Sequence, residues 1–98
     1  MTELSLIGNK ISDISALEHL TNLTELSFSG NIISDISVIS QLTELKLLNL
    51  KDNKISDISA LKELKNLEFL NIQGNPISAG QIAELREALP DTEIRADF

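Results

Sequence analysis

Apolar residues return along this chain at a fixed interval. Leu4, Leu26, Leu48 and Leu70 stand 22 residues apart, as do Leu6, Phe28, Leu50 and Ile72. Asn9, Asn31, Asn53 and Asn75 keep the same step, and so do Ile11, Ile33, Ile55 and Ile77. The string Ile-Ser-Asp-Ile-Ser occurs at Ile11–Ser15, Ile33–Ser37 and Ile55–Ser59. Self-similarity at a period of 20 to 50 residues is the mark of a stacked repeat architecture. Within one repeat the first half alternates apolar and polar, as at Leu4-Ser5-Leu6, which predicts a short strand. The second half spaces its apolar residues by three, as at Ile14, Leu17, Leu20 and Leu23, which fits a 3₁₀ return better than an α-helix. One repeat is thus a strand, a tight turn and a short helical return. No single copy can bury its own stripe, whereas stacked copies can, with parallel strands about 4.8 Å apart.

The pattern predicts strands near residues 3–7, 25–29, 47–51, 69–73 and 92–96. Each Asn follows a strand where the chain turns inward, and its amide is expected to be buried and to satisfy backbone groups of the bend. Gly8, Gly30 and Gly74 precede that Asn, with Asp52 in the same slot, so a positive φ is expected there. Asp13, Asp35 and Asp57 open the helical returns and read as N-caps. From Ile77 the return changes character. Ser78 and Gln81 form an S-x-x-Q capping box. Ile82, Leu85 and Leu89 share one helical face, and Pro90 stops the helix. This predicts an α-helix near 79–89 followed by a short strand, with the 22-residue step kept from Leu67 to Leu89, Ile72 to Ile94 and Asn75 to Asp97. The whole is read as one domain, residues 1–98, with repeats 4–25, 26–47, 48–69, a partial repeat 70–77 and a C-terminal helix–strand cap 78–98.

The Asn9–Leu26 stretch in particular resembles the internalin-like leucine-rich repeat proteins of bacteria, a class with 22-residue repeats. The resemblance covers roughly residues 1–77. It implies an α/β solenoid with a parallel sheet on its concave face, 3₁₀-type returns on its convex face, and protein recognition on the sheet. Internalins are secreted or surface-attached, so an extracellular or cell-surface location is what the resemblance suggests. Ala16, Val38 and Ala60 stand where internalins often place Pro. Internalins also carry a helical N-terminal cap and an immunoglobulin-like domain, and this chain begins at a repeat boundary. The expectation is therefore a fragment of a larger bacterial surface or secreted protein that recognises a protein partner. The alternative is a structural or engineered repeat scaffold with no ligand of its own.

Composition narrows the chemistry. The 8 Lys and Arg stand against 15 Asp and Glu, a net charge of −7. Nucleic acid and anionic membrane surfaces both need a basic face, so neither is expected as a partner. No apolar run approaches the roughly 18 residues of a membrane helix. The chain has no Cys and 1 His, which removes disulfides, thiolate chemistry and most metal or nucleophile constellations. The glycines never fall at nucleotide-binding spacings. No catalytic residue, cofactor or metal is predicted. His19 reads as a surface residue of the convex return. Glu3 and Glu25 stack in one column and read as a solvated acidic face.

The outward strand positions are the candidate site. They are Glu3, Ser5 and Ile7; Glu25, Ser27 and Ser29; Leu47, Asn49 and Lys51; Phe69, Asn71 and Gln73. Leu47 and Phe69 are apolar neighbours where solvent is expected. The predicted partner-binding set is therefore Leu47, Asn49, Lys51, Phe69, Asn71 and Gln73, centred on the single aromatic residue of the face. Phe69 could equally be an ordinary exposed apolar residue lying under the C-terminal cap. At the other end, Leu4 and Leu6 face a core with no neighbour on one side, and Met1 falls in the slot of Leu23, Leu45 and Leu67. Self-association through this uncapped first repeat is expected, strand to strand.

Overall fold

Alternation turns the middle residue of each three-residue strand towards the core. In the computed structural model, which describes residues 2–97, the strands are β1 (Glu3–Ser5), β2 (Glu25–Ser27), β3 (Leu47–Asn49), β4 (Phe69–Asn71) and β5 (Glu93–Arg95). They form one parallel sheet in the order β1-β2-β3-β4-β5. Leu26, Leu48 and Leu70 point inward and are at most 1% exposed. The strands are shorter than the alternation predicts. Inter-strand pairing nevertheless runs past their ends, with Gly8 N–H donating to Ser29 O, Gly30 to Lys51 O and Asp52 to Gln73 O, each at 2.9 Å. The chain then bends through a positive φ at Gly8 (69°), Gly30 (75°), Asp52 (59°) and Gly74 (73°), as expected. Lys10 also has a positive φ, 58°, which its slot did not signal.

The returns are 3₁₀ turns at Ser15–His19, Ser37–Gln41 and Ser59–Glu63. Leu17, Ile39 and Leu61 anchor them in the core. Asp13, Asp35 and Asp57 do not sit at the N-cap, which is Ile14, Ile36 or Ile58. Each lies one residue earlier, and its Oδ1 accepts from the first helical N–H two residues on: Ser15 (2.9 Å), Ser37 (3.0 Å) and Ser59 (3.0 Å). This is an Asx-turn that launches the return. Those bonds to the Ser backbone and then to its hydroxyl hold all three carboxyls below the usual aspartate value.

The Asn column staples consecutive repeats. Asn53 Oδ1 accepts from Ile33 N (3.1 Å), while its Nδ2 donates to Phe28 O (3.0 Å) and Leu50 O (3.0 Å). Asn75 repeats the pattern with Ile55 N (3.1 Å), Leu50 O (2.9 Å) and Ile72 O (3.1 Å). Asn31 serves Asn9 N, Ile11 N and Leu6 O. Each Asn thus closes the bend of the repeat before it. Asn31, Asn53 and Asn75 are buried, but Asn9 is exposed, contrary to expectation. No repeat precedes it among the described residues, so its amide has no bend to close.

The last return is α1 (Ala79–Ala88), and Ile82 and Leu85 on it are buried. Ser78 Oγ caps it by accepting from Gln81 N at 3.3 Å. The reciprocal half of the capping box does not form. Gln81 instead reaches the preceding return, accepting from Ile58 N (3.1 Å) and donating to Ser56 O (2.7 Å). The register also departs from the 22-residue step. Leu70 pairs with Ile94 and Phe69 with Glu93, a step of 24. Ile94 is therefore not the counterpart of Ile72. The ten-residue α-helix takes the place of a five-residue 3₁₀ turn, and the longer return delivers the chain to β5 two residues later. Asp97 then turns back, its carboxylate accepting from Gly74 N at 3.1 Å.

Candidate functional site

The register sorts the exposed face of the sheet into columns. One runs Glu3, Glu25, Leu47, Phe69, Glu93. The next runs Ser5, Ser27, Asn49, Asn71, Arg95. Of the predicted residues, Leu47 and Phe69 are direct neighbours, as are Asn49 and Asn71. Lys51 and Gln73 lie just beyond the strand ends, where Asp52 N, next to Lys51, donates to Gln73 O at 2.9 Å. All six fall on one surface. Lys51 is exposed and the other five are half-buried.

Each central Asn uses half its amide on its own strand. Asn49 Oδ1 accepts from Lys51 N (3.1 Å), and Asn71 Oδ1 accepts from Gln73 N (3.0 Å). Both acceptors are thereby fixed, and the Nδ2 donors make no hydrogen bond among the described residues. Beside them Phe69 is partly roofed. The Arg95 guanidinium lies 5.7 Å from its ring centroid. Glu93 Oε2 holds that guanidinium through Nε (3.1 Å) and Nη2 (3.0 Å). The arrangement is a cation–π contact with its cation oriented by a carboxylate. Sequence reasoning missed Arg95, because counting by 22 places it opposite Gln73 rather than beside Phe69.

Towards β1 the face hollows to about 340 Å³, lined by Glu3, Ser5, Glu25, Ser27 and Leu47 with the backbone side of Leu4 and Leu26. Glu25 is held above the usual glutamate value, first by a hydrogen bond shared with Glu3, then by the Glu3 charge, then by desolvation. Ser27 Oγ is buried in this floor with no hydrogen-bond partner. On the convex side His19 is exposed, with Nε2 3.2 Å from Glu18 Oε1. Among the described residues no group of three or more His, Asp or Glu is placed to hold a metal ion, and no helix is long and apolar enough to cross a membrane.

A parallel sheet with one strand per repeat, 3₁₀ returns and an Asn staple defines a leucine-rich repeat solenoid. The chain matches the family described as leucine-rich repeats (2 copies) over residues 1–41 and 43–87. It belongs to that family. Among solved structures it is similar to an internalin from Listeria monocytogenes (34% identity, TM-score 0.89), covering 100% of this chain and 30% of that one. It is similar to a leucine-rich repeat protein of Leptospira interrogans (37% identity, TM-score 0.87), covering 100% of this chain and 25% of that one. A second Listeria internalin is 36% identical with a TM-score of 0.77, over 89% of this chain and 38% of that one. The chain therefore spans well under half the length of these structures. No curated protein matches it significantly. Domains of this type are in general non-enzymatic modules of protein–protein interaction, and the bacterial, internalin-like kinship is plain.

Proposed function

We propose that this chain recognises a protein through the exposed face of its sheet, at Leu47, Asn49, Lys51, Phe69, Asn71 and Gln73. We propose also that it does so as part of a longer bacterial surface or secreted protein, since the similar bacterial structures are longer chains, of which it covers 30% and 25%, and the internalin resemblance implies that location. The observation that carries the docking site is the pairing of Leu47 with Phe69 and of Asn49 with Asn71 on neighbouring strands. Two apolar side chains and two free amide donors lie within one strand spacing on a sheet that does not need to rearrange. Such preorganisation lowers the entropy lost on association. Selection of phage-displayed random peptides against the chain tests this, followed by competition on variants. Binders should lose the Phe69→Ser and Asn49→Arg variants and keep Glu63→Arg on the convex side. Binders that keep both face variants, or no binders above background, would favour a scaffold without a ligand.

A further inference from the structure

The exposed face is chemically lopsided, and the direction of that asymmetry specifies a partner. Its β1–β2 end carries Glu3 and Glu25 side by side in the hollow of about 340 Å³, and no basic residue lines that hollow. Among the described residues the ion pairs are His19–Glu18, Lys62–Glu84 and Arg95–Glu93, so neither glutamate has a cation. The β3–β4 end differs. There Lys46 shares a neighbouring hollow with Glu25, Glu68, Leu47 and Phe69 without pairing with Glu25, Lys51 is exposed, and Glu93 is already occupied by Arg95. The apolar pair Leu47 and Phe69 lies on β3 and β4 themselves. It shares one column with Glu3 and Glu25, so a segment lying across the strands meets the acidic pair and then the apolar pair.

We infer that this face takes an extended basic peptide segment of the partner, with an Arg or Lys seated at Glu3 and Glu25 and an apolar side chain seated on Leu47 and Phe69. The inference rests on the docking reading above and names its chemistry. Charge complementarity carries it: two carboxylates that repel each other are unfavourable neighbours, and an incoming cation relieves both at once. The pKa of Glu25 is raised by that neighbour, first through a hydrogen bond shared with Glu3 and then through the Glu3 charge. The unpartnered Ser27 Oγ lies in the hollow's floor, where a partner donor could pair with it.

Strand spacing fixes the separation of the two anchors. From the middle of the Glu3–Glu25 pair to the middle of the Leu47–Phe69 pair is two strand steps, about 9.6 Å at about 4.8 Å each. A segment in the polyproline II conformation advances about 3.1 Å per residue with about three residues per turn, so residues three apart share one edge about 9.3 Å apart, and the apolar residue lies three positions from the base. The sequence class is basic-x-x-apolar, read in either chain direction across the strands.

Fluorescence polarisation with labelled twelve-residue peptides tests the inference. The probe has a single central Arg-Thr-Thr-Leu in a Gly/Ser background. Controls replace Arg by Glu, replace Leu by Ser, or set the Arg–Leu separation to one or five. The expected result is strongest binding at a separation of three, weakened by salt. On the protein side Glu25→Gln should weaken the Arg peptide about threefold, a typical exposed-pair effect. The Glu3→Gln/Glu25→Gln double variant should abolish the preference for Arg over Glu. Circular dichroism confirms that these surface variants fold. If the Glu peptide binds as well as the Arg peptide and both are lost on Phe69→Ser, the docking surface stands and its basic specificity is overturned. If no peptide responds to Phe69→Ser or Asn49→Arg, the docking surface itself is overturned.

Discussion

Replacing Asn53 by Ala removes four hydrogen bonds, but their loss is not equal. Phe28 O keeps Asn31 Nδ2 at 2.8 Å, and Leu50 O keeps Asn75 Nδ2 at 2.9 Å. Lys51 O keeps the Gly30 N–H at 2.9 Å. The Ile33 N–H has Asn53 Oδ1 as its acceptor, and Ile33 is 0% exposed. One buried donor is therefore orphaned, costing about 1–3 kcal/mol, and three second bonds to already paired carbonyls are lost, each worth a fraction of the usual about 1 kcal/mol. The total is about 3 kcal/mol. Urea denaturation followed by far-ultraviolet circular dichroism reads it: with m of about 1–1.5 kcal/mol/M the midpoint should fall by about 2–3 M. Asn75→Ala should behave alike through Ile55 N–H. Asn31→Ala should cost less, because Asn9 and Ile11 are not buried and water can replace the amide. Asn9→Ala should be near neutral. Equal losses at all four positions would refute the idea that each Asn serves the repeat before it.

Other consequences are testable with the same protein. Gly74→Ala should lower stability by about 1–2 kcal/mol, because φ is +73° and an added Cβ would press on the Asp52 side chain; an unchanged urea midpoint would contradict it. Gln81→Ala should cost about 1–2 kcal/mol, more than an exposed helix residue such as Glu84→Ala, since it frees Ile58 N–H and Ser56 O together. Asp13, Asp35 and Asp57 have depressed folded pKa values; they contribute stability above the unfolded value of about 3.9 and lose it as pH falls through the folded values. The Asp→Asn triple variant keeps an Oδ1 acceptor without a titrating group, so its stability should fall less than wild type between about pH 4 and 2. The chain alone should self-associate through β1, where Ile7 is 60% exposed and Leu6, Ile11, Ile14, Leu17 and Phe28 line an apolar hollow of about 280 Å³; a strict monomer in sedimentation at micromolar concentration would contradict it.

The repeat was legible because each inward column is filled by one chemical type, and a stack of copies forces identical environments on equivalent residues. Gly8, Gly30, Gly74 and even Asp52 announced their positive φ in the same way. The cap register was not legible, and the reason is geometric. A slip of two residues leaves every strand side chain on its own face. Ile94 is therefore apolar and inward whether it pairs with Leu70 or Ile72, and the apolar pattern cannot distinguish the two. The error mattered only outward, where it hid Arg95 beside Phe69. The direction of the Asn staple was hidden for a related reason: Asn9, Asn31, Asn53 and Asn75 look alike in sequence, yet an Asn is buried only when another bend lies before it. Met1, placed by its spacing in the slot of Leu23, lies outside the described residues.

Stability and the proposed recognition belong to opposite faces of the same three-residue strands. Leu48 and Leu50 are 0% exposed and lock β3 into the core, while Leu47, Asn49 and Lys51 between and beside them face outward. Asn53 ties its own bend to that of the repeat before it by bonds to backbone alone, so it is indifferent to what the outward residues are. Asn49 and Asn71 spend only their carbonyl oxygens on their own strands. The outward set can therefore change in charge, size or donor character without disturbing a core residue or a staple. Arg95 is the exception: it links Phe69 to the cap by a cation–π contact and Glu93 by an ion pair, and a change there alters both the face and its neighbouring strand. The acidic pair at β1 and β2 forms no ion pair with a base among the described residues, and it is there that the proposed basic side chain of a partner would find its complement.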